Sequence, residues 1–170
     1  RKIAAERDCP YIDAALAKPR DITRSLDGYG FTLDGFGRIE LGMIGLHQID
    51  NAVCALHVVE ALEKRGIIKA DRALVRAAMT RARQKGRLEI LRRSPCILID
   101  GAHNEAGAEA LASVMEYHFK GGRILLVLGV LADKKADRIL DPLLRLGVDA
   151  IATEPDNPRR LPAEDLCRQI

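Results

Sequence analysis

Three polar side chains follow a short apolar run in the second half of the chain. Asp100 comes directly after Cys96 to Ile99, and His103 and Asn104 lie at the start of the next predicted helix. A carboxylate at a strand end can accept hydrogen bonds from ribose hydroxyls, and a helix N-terminus favours anions. We therefore predict that this segment is part of a nucleotide-dependent active site. The structural alternative is that Asp100 or Asn104 caps the helix and His103 faces solvent.

Two basic residues are candidates for holding an anionic group near that segment. Lys134 lies in a loop that follows the next predicted strand, where it could hold a carboxylate or a phosphate as a point charge. Arg87 follows Gly86 at a predicted joint between two domains, where a guanidinium could grip a phosphate. The alternative for each is an ordinary surface residue.

A histidine and an asparagine are spaced four residues apart at the start of another predicted helix. His47 and Asn51 would share one face of its first turns. As a metal pair they lack a third ligand at the usual spacing, so we predict no metal site. We interpret both as polar groups that line a cleft between domains, with Asn104 as a further cleft residue. His57 and His118 lie within helices and are expected to have core or surface roles.

The common glycine-rich phosphate loops are not found in the sequence. Neither G-x-x-x-x-G-K-[ST] nor a G-x-G-x-x-G segment after Ile99 occurs. The absence of the second pattern argues against an NAD-binding domain. The phosphate cradle of the predicted site is therefore expected outside this chain.

Alternating strands and helices in the second half predict an α/β fold with a Rossmann-like, doubly wound parallel sheet. The strands are predicted at Cys96 to Ile99, Ile124 to Leu128 and Val148 to Thr153, and the helices at Glu105 to Phe119, Lys135 to Leu146 and from near Pro162. The strands are continuous or mostly apolar runs, so we expect helices on both faces of the sheet. Loops 100–107, 129–135 and 154–160 would lie at the carboxyl ends of these strands.

The first half reads as the end of a different domain, with the boundary between residues 83 and 84. Short segments around two Asp-Gly pairs predict an antiparallel meander over Tyr29 to Leu33 and Arg38 to Met43, after a strand near Tyr11 to Ala15. A helix is predicted from Leu46 to Gly66, which would stop it. A second helix is predicted from about Asp71 to Arg83, with Leu74, Ala78 and Val75 buried.

Composition bounds the class of protein. No apolar run approaches the roughly 20 residues that span a bilayer, so we expect a cytoplasmic protein without a membrane partner. Eleven Lys and Arg against three Asp and Glu lie between Ala61 and Arg93, which indicates either an anion-binding surface or two solvated helix faces. With three Phe, three Tyr and no Trp, nucleic acid is not an expected partner. The four scattered cysteines are expected to be buried, inert thiols.

Four motifs in register resemble the folylpolyglutamate synthases and bifunctional dihydrofolate synthases of the Mur ligase superfamily. They are Gly45-x-His47-Gln48-x-x-Asn51-Ala52, Gly86-Arg87-x-Glu89, Asp100-Gly101-Ala102-His103-Asn104 and Ala132-Asp133-Lys134. The similarity runs from about Ile39 to Arg160. It implies that residues 1–83 are the incomplete C-terminal part of a central ATP-binding domain. Residues 84–170 would be a C-terminal domain that is cut near its end.

The resemblance implies an ATP-dependent amide ligase that adds L-glutamate to a folate or dihydropteroate carboxylate through an acyl phosphate. Asn51, Arg87 and Asp100 match positions that contact ATP. His103 and Lys134 match positions linked to the incoming glutamate. The P-loop domain, the Mg²⁺ ligands and the carbamylated lysine of the family are expected upstream of Arg1. The chain alone is therefore expected to make no product.

One departure and two alternatives accompany this interpretation. Lys85 stands where the family usually has proline, which would loosen the interdomain joint. A peptidoglycan-type Mur ligase shares the fold and mechanism but is not expected to carry the Asp-Gly-Ala-His-Asn motif. A non-enzymatic, receiver-like regulatory domain would use Asp100 as phosphoacceptor and Lys134 as its partner. That reading lacks the acidic pair expected at an earlier strand end.

Overall fold

A computed structural model describes residues 1–170, and the chain divides into two units, 1–83 and 84–170. The first unit contains α1 (Lys2–Glu6), a 3₁₀ turn (Ala14–Leu16), β1 (Arg20–Ser25), β2 (Gly28–Leu33), β3 (Gly37–Leu41), α2 (Leu46–Lys64) and α3 (Arg72–Arg81). The second contains β4 (Glu89–Arg93), β5 (Cys96–Ile99), α4 (Glu105–Phe119), β6 (Leu125–Leu128), α5 (Ala136–Leu144), β7 (Asp149–Ala152) and α6 (Ala163–Cys167).

The antiparallel pairing predicted for Tyr29 to Leu33 with Arg38 to Met43 is confirmed, and β1, which was not predicted, adds a third strand. Strands β1, β2 and β3 pair in sequence order, both pairs antiparallel. Gly28 has a φ of 147°, and a Cβ there would overlap the carbonyl oxygen of Leu41, so glycine permits the close approach of β2 and β3. The buried side chains of this sheet are aromatic and aliphatic: Tyr29, Phe31, Leu33, Ile39 and Leu41.

Helix α2 forms as its apolar spacing predicts. Ile49, Val53 and Leu56 are almost fully buried on one face, which is the i, i+4, i+7 pattern of an amphipathic helix. Arg65 caps its end and Gly66 follows with a φ of 67°, the left-handed conformation that glycine adopts without steric cost.

Two predictions in the first unit are wrong. The segment near Tyr11 forms a 3₁₀ turn rather than a strand, and the Asp13 carboxylate caps it by accepting from the Ala15 N–H. In α3, Leu74 and Ala78 are exposed rather than buried. Helix α3 packs against β3 with the face that carries Thr80, and the Thr80 hydroxyl donates to the Glu40 carbonyl.

Parallel pairing in the second unit is confirmed for β6 and β7, whose register runs from Leu125–Asp149 to Leu128–Ala152. Strand β5 has the predicted bounds but pairs antiparallel with β4. We did not predict β4, because three of its five residues are charged and its apolar residues do not alternate. The parallel part of the sheet is thus smaller than predicted.

The expectation that helices cover both faces of these strands is wrong for the described chain. Leu125, Val127 and Ile151 are 58%, 60% and 49% exposed. The alternate residues Leu128 and Ala152 pack against a core formed by α4, α5 and α6. These helices pack on one side of the β6–β7 pair, so the other apolar side faces solvent.

The expectation of buried thiols is also wrong, because Cys9, Cys54, Cys96 and Cys167 are all exposed. Cys54, for example, lies on the solvent side of α2, next to the buried Val53. None of the helices combines the length and the apolar character needed to cross a membrane.

Candidate functional site

Asp100 closes the loop that follows β5 with both of its carboxylate oxygens. Oδ2 accepts from the Leu88 N–H and Oδ1 from the Ala102 N–H, each at 2.8 Å. The Gly101 N–H also donates to the Gly86 carbonyl at 2.8 Å. Asp100 therefore joins the end of β5 to the segment before β4. Each carboxylate oxygen still has a lone pair for a ligand.

Arg87 lies in a segment whose backbone is held on both sides. Gly86 and Leu88 both have left-handed φ angles, 67° and 47°, and the Gly86 N–H donates to Glu89 Oε2 at 2.8 Å. Leu88 is buried. Arg87 is half-buried, and its guanidinium forms no hydrogen bond or ion pair within the chain. A half-buried cation without an internal partner is suited to binding an anion.

Asn104 and His103 begin α4, and their geometry matches part of the structural alternative. Asn104 is the N-cap, and its Oδ1 accepts from the Gly107 N–H at 2.8 Å. His103 is exposed, and its Nδ1 lies 3.0 Å from the Gly101 carbonyl oxygen, which can only accept. The ring therefore carries its proton on Nδ1, and Nε2 is available to a ligand. Asn104 thus caps the helix, and it also lines the cavity described next.

One cavity brings together His103 and Lys134, the two residues that the family resemblance links to glutamate. It has a volume of about 410 Å³ and lies between the start of α4 and the start of α5. Its lining residues are His103, Asn104 and Glu105 at the start of α4, and Asp133, Lys134, Lys135, Arg138 and Ile139 before and within α5. His103 and Lys134 therefore line the same pocket.

The acidic side chains that line the cavity form ion pairs with basic side chains of the same lining. Arg138 Nη1 lies 2.9 Å from Glu105 Oε2, and Lys134 Nζ lies 3.6 Å from Asp133 Oδ2. Arg159 also approaches Asp133, at 3.5 Å. A lining with both signs of charge suits a ligand that carries both signs. We did not predict Glu105, Asp133 or Arg138 as lining residues. Asp133 is adjacent to Lys134 in the sequence, and Glu105 and Arg138 lie in the first turns of α4 and α5.

The carboxylates of the cavity do not suit a magnesium ion. Both are already paired with cations, and the chain holds no group of three His, Cys, Asp or Glu side chains placed around a common point. Mg²⁺ requires oxygen ligands in near-octahedral geometry. We therefore assign no step to a metal held by these residues.

In the first unit, the Gln48 side chain forms hydrogen bonds with both His47 and Asn51. Gln48 Nε2 lies 3.0 Å from His47 Nε2, and Asn51 Nδ2 donates to Gln48 Oε1 at 3.0 Å. Gln48 is buried, whereas Asn51 is exposed. The sequence analysis chose His47 and Asn51 as candidate site residues, whereas Gln48 was named only as a member of the first motif.

Comparison with known families gives one match that covers half of the chain. Residues 86–170 match the model described as "Mur ligase, glutamate ligase domain". This range contains Arg87, Asp100, His103 and Lys134, and thus the whole cavity.

Curated relatives and solved structures extend the similarity into the first unit. The dihydrofolate synthase/folylpolyglutamate synthase of Mycobacterium tuberculosis is 38% identical over 84% of this chain, and that of Bacillus subtilis is 34% identical over 75%. A structure of Mycobacterium tuberculosis folylpolyglutamate synthase complexed with ADP matches with a TM-score of 0.87 and 32% identity over 99% of this chain. The chain spans 30% of the length of each curated relative and 38% of that structure.

Proposed function

Because this chain belongs to the Mur ligase family through its glutamate ligase domain, we propose that it is part of an ATP-dependent ligase that adds L-glutamate to a folate or dihydropteroate carboxylate. The observation that carries the proposal is the shared cavity of His103 and Lys134. The two relatives named above, both dihydrofolate synthase/folylpolyglutamate synthases, support the choice of substrate class.

The proposed reaction has two steps, because a carboxylate anion is a poor electrophile. First, a carboxylate oxygen of the folate attacks the γ-phosphorus of ATP, which gives an acyl phosphate and ADP. The uncharged amine of glutamate then attacks the acyl carbon, and the amide forms as inorganic phosphate leaves and the amine loses a proton. Positioning and charge neutralisation supply most of the catalysis in such a reaction.

Glutamate fits the cavity by charge. One of its carboxylates would contact Lys134, while Glu105 and Asp133 are acceptors for its ammonium group. For a ring with its proton on Nδ1, His103 Nε2 is also an acceptor, so it would receive a hydrogen bond from the amine.

ATP would be bound by Asn51, Arg87 and Asp100. The support for Arg87 is its unpaired, half-buried guanidinium, and the support for Asp100 is the lone pairs left on a carboxylate whose position two backbone N–H groups hold. Mg²⁺ would accompany ATP, with ligands outside the residues described here. The cytoplasmic location expected from the sequence stays a prediction.

The receiver-like alternative has no support in the geometry. Both Asp100 oxygens accept backbone N–H groups, and Lys134 pairs with Asp133. A phosphoacceptor aspartate would instead lie beside its lysine partner.

The first test uses the intact protein that contains this chain. We expect ADP release only when ATP, a folate or dihydropteroate and glutamate are all present. Substitution of Lys134→Gln should raise the KM for glutamate about 10- to 100-fold, because a hydrogen bond to a charged group contributes about 1.5–3 kcal/mol. The KM for ATP should not change. Lys134→Arg should restore part of the loss.

The matched control is Lys120→Gln, which removes an exposed lysine at the end of α4. It should leave both KM values unchanged. Turnover with a UDP-linked muramyl substrate instead of a folate would reassign the protein to the peptidoglycan-type ligases. If Lys134→Gln leaves the KM for glutamate unchanged, the proposal that glutamate binds in this cavity is wrong.

A further inference from the structure

Gln48 is the buried polar side chain of the core, with 7% of its surface exposed. It lies in the first turns of α2, between the buried Ile44 and Ile49. An apolar side chain of similar volume would fill this place without the cost of burying an amide. The amide is retained with hydrogen-bond partners on both sides, His47 and Asn51.

The direction of these two hydrogen bonds follows from the atoms that form them. An amide nitrogen can only donate, so Gln48 Nε2 donates and His47 Nε2, at 3.0 Å, accepts. His47 Nε2 is therefore unprotonated in this arrangement. On the other side, Gln48 Oε1 accepts from Asn51 Nδ2 at 3.0 Å. The three side chains form one polar chain with a single direction.

This direction determines which atom Asn51 presents to a ligand. Its Nδ2 is turned toward Gln48, and because the amide is planar, Oδ1 lies on the opposite side. Asn51 is exposed, so Oδ1 is accessible as an acceptor. If Gln48 were turned over, Asn51 would have to turn with it and would present a donor instead.

We propose that Gln48 is a positioning residue that, together with His47, holds the Asn51 amide so that its carbonyl oxygen faces the nucleotide. The proposal rests on the proposed function, in which Asn51 contacts ATP. ATP phosphates are acceptors, whereas the adenine 6-amino group and the ribose hydroxyls are donors. An acceptor at Asn51 therefore selects the nucleoside part of ATP.

The test compares two replacements of Gln48 in the intact protein. Gln48→Met keeps the volume but cannot hold Asn51. Gln48→Glu keeps an acceptor for Asn51 Nδ2, and its second oxygen can accept from His47 once that ring carries its proton on Nε2. We expect Gln48→Met to raise the KM for ATP about 3- to 10-fold, the effect of about one hydrogen bond, with kcat within twofold. Gln48→Glu should give a KM for ATP closer to that of the wild type than Gln48→Met does.

Nucleotide analogues give a readout that a merely structural role would not move. Purine riboside triphosphate lacks the 6-amino group, and 2′-deoxy-ATP and 3′-deoxy-ATP each lack one ribose hydroxyl. The wild type should prefer ATP over the analogue that lacks the donor for Asn51, and Gln48→Met should lose that preference while Gln48→Glu keeps it. The analogue that shows the effect identifies the donor.

Asn51→Ala completes a double-mutant cycle with Gln48→Met. It should raise the KM for ATP, and adding Gln48→Met to it should cause no further change, because Gln48 acts through Asn51. Equal losses with ATP and all analogues, or additive effects in the double variant, would overturn the positioning role. A folded Gln48→Glu variant that loses the preference would do the same.

The failures of the two proposals are distinguishable. If Asn51→Ala raises the KM for ATP but Gln48→Met does not, only the role of Gln48 is overturned. If Asn51→Ala leaves the KM for ATP unchanged, Asn51 is not an ATP contact and both the role of Gln48 and the ATP assignment of Asn51 fail. Absence of glutamate-dependent ADP release by the wild type would remove the proposed function itself.

Discussion

Asp100 combines a structural role with a proposed binding role. It accepts backbone hydrogen bonds from Leu88, which precedes β4, and from Ala102, which follows β5. The sequence showed an acid at a strand end but not which donors lie within its reach, since Leu88 is twelve residues away. A carboxylate that is fixed in this way keeps its remaining lone pairs in a constant direction.

Asp100→Asn should therefore destabilise the chain even without nucleotide. One amide oxygen cannot replace two carboxylate oxygens, and its NH₂ group would face a backbone N–H. We expect a loss of about 1–3 kcal/mol in the free energy of unfolding, measured by urea denaturation. Asp156→Asn, the same change at an exposed residue, is the control and should change it by less than about 0.5 kcal/mol. Equal stabilities of the two variants would mean that Asp100 serves only ligands.

Among the elements, short α6 depends on a carboxylate outside it. Glu154 Oε1 accepts from the Ala163 N–H at 3.0 Å, and Oε2 accepts from Arg160 Nε at 2.8 Å. The Ala163 N–H, and then Arg160, hold the pKa of Glu154 below its usual value of 4.5. The side chain thus links the loop after β7 to the first residue of the helix.

This lowered pKa predicts a pH-dependent contribution to stability. The folded state favours the carboxylate, so the contribution is present above pH 4.5 and is lost as the pH falls through the lower pKa of the folded state. Glu154→Gln should therefore have a lower Tm than the wild type at pH 7, and the two Tm values should converge under acid conditions.

The control for this measurement is Glu116→Gln, an exposed glutamate on α4. Its Tm should follow that of the wild type at every pH. A Tm difference between the wild type and Glu154→Gln that persists in acid would show that shape, not charge, links Glu154 to α6.

Elements with clear local signals could be predicted, and those that depend on tertiary contacts could not. Apolar spacing with a glycine stop predicts α2, and a continuous apolar run predicts β5 with its observed bounds. Strand β4 is held by pairing with β5 and carries little local signal. Likewise, the exposed side of Val127 was not predictable, because a run of apolar residues does not show which face helices cover.

The same division holds for the candidate site. His103 and Lys134 could be chosen from the sequence because they match motifs in loops. Arg138 on α5 and Glu105 on α4 line the cavity as an ion pair between residues that are 33 positions apart in the sequence. No local pattern predicts such a pair.

For the molecule as a whole, the chain corresponds to 30% of the length of the two curated relatives. Its sequence has no glycine-rich phosphate loop. The residues proposed for ATP would act on a nucleotide whose phosphates need further donors.

We therefore expect the 170-residue chain alone to bind ATP with a Kd in the millimolar range or weaker and to make no product. Isothermal titration calorimetry checks the first expectation, with Arg87→Ala as the control for any residual heat. Tight binding by the isolated chain that Arg87→Ala abolishes would contradict it. It would show that these residues suffice for phosphate recognition.

Two hydrogen bonds join the segment from Gly86 to Leu88 to the residues that follow β5, and they determine which substitutions the loop can accept. One of these hydrogen bonds joins backbone atoms of Gly101 and Gly86, and the other uses the Asp100 carboxylate. Neither depends on the side chain at position 87, which can therefore be exchanged while the loop keeps its shape. A substitution of Arg87 should therefore change ligand binding without changing the loop, whereas a substitution of Asp100 should change both.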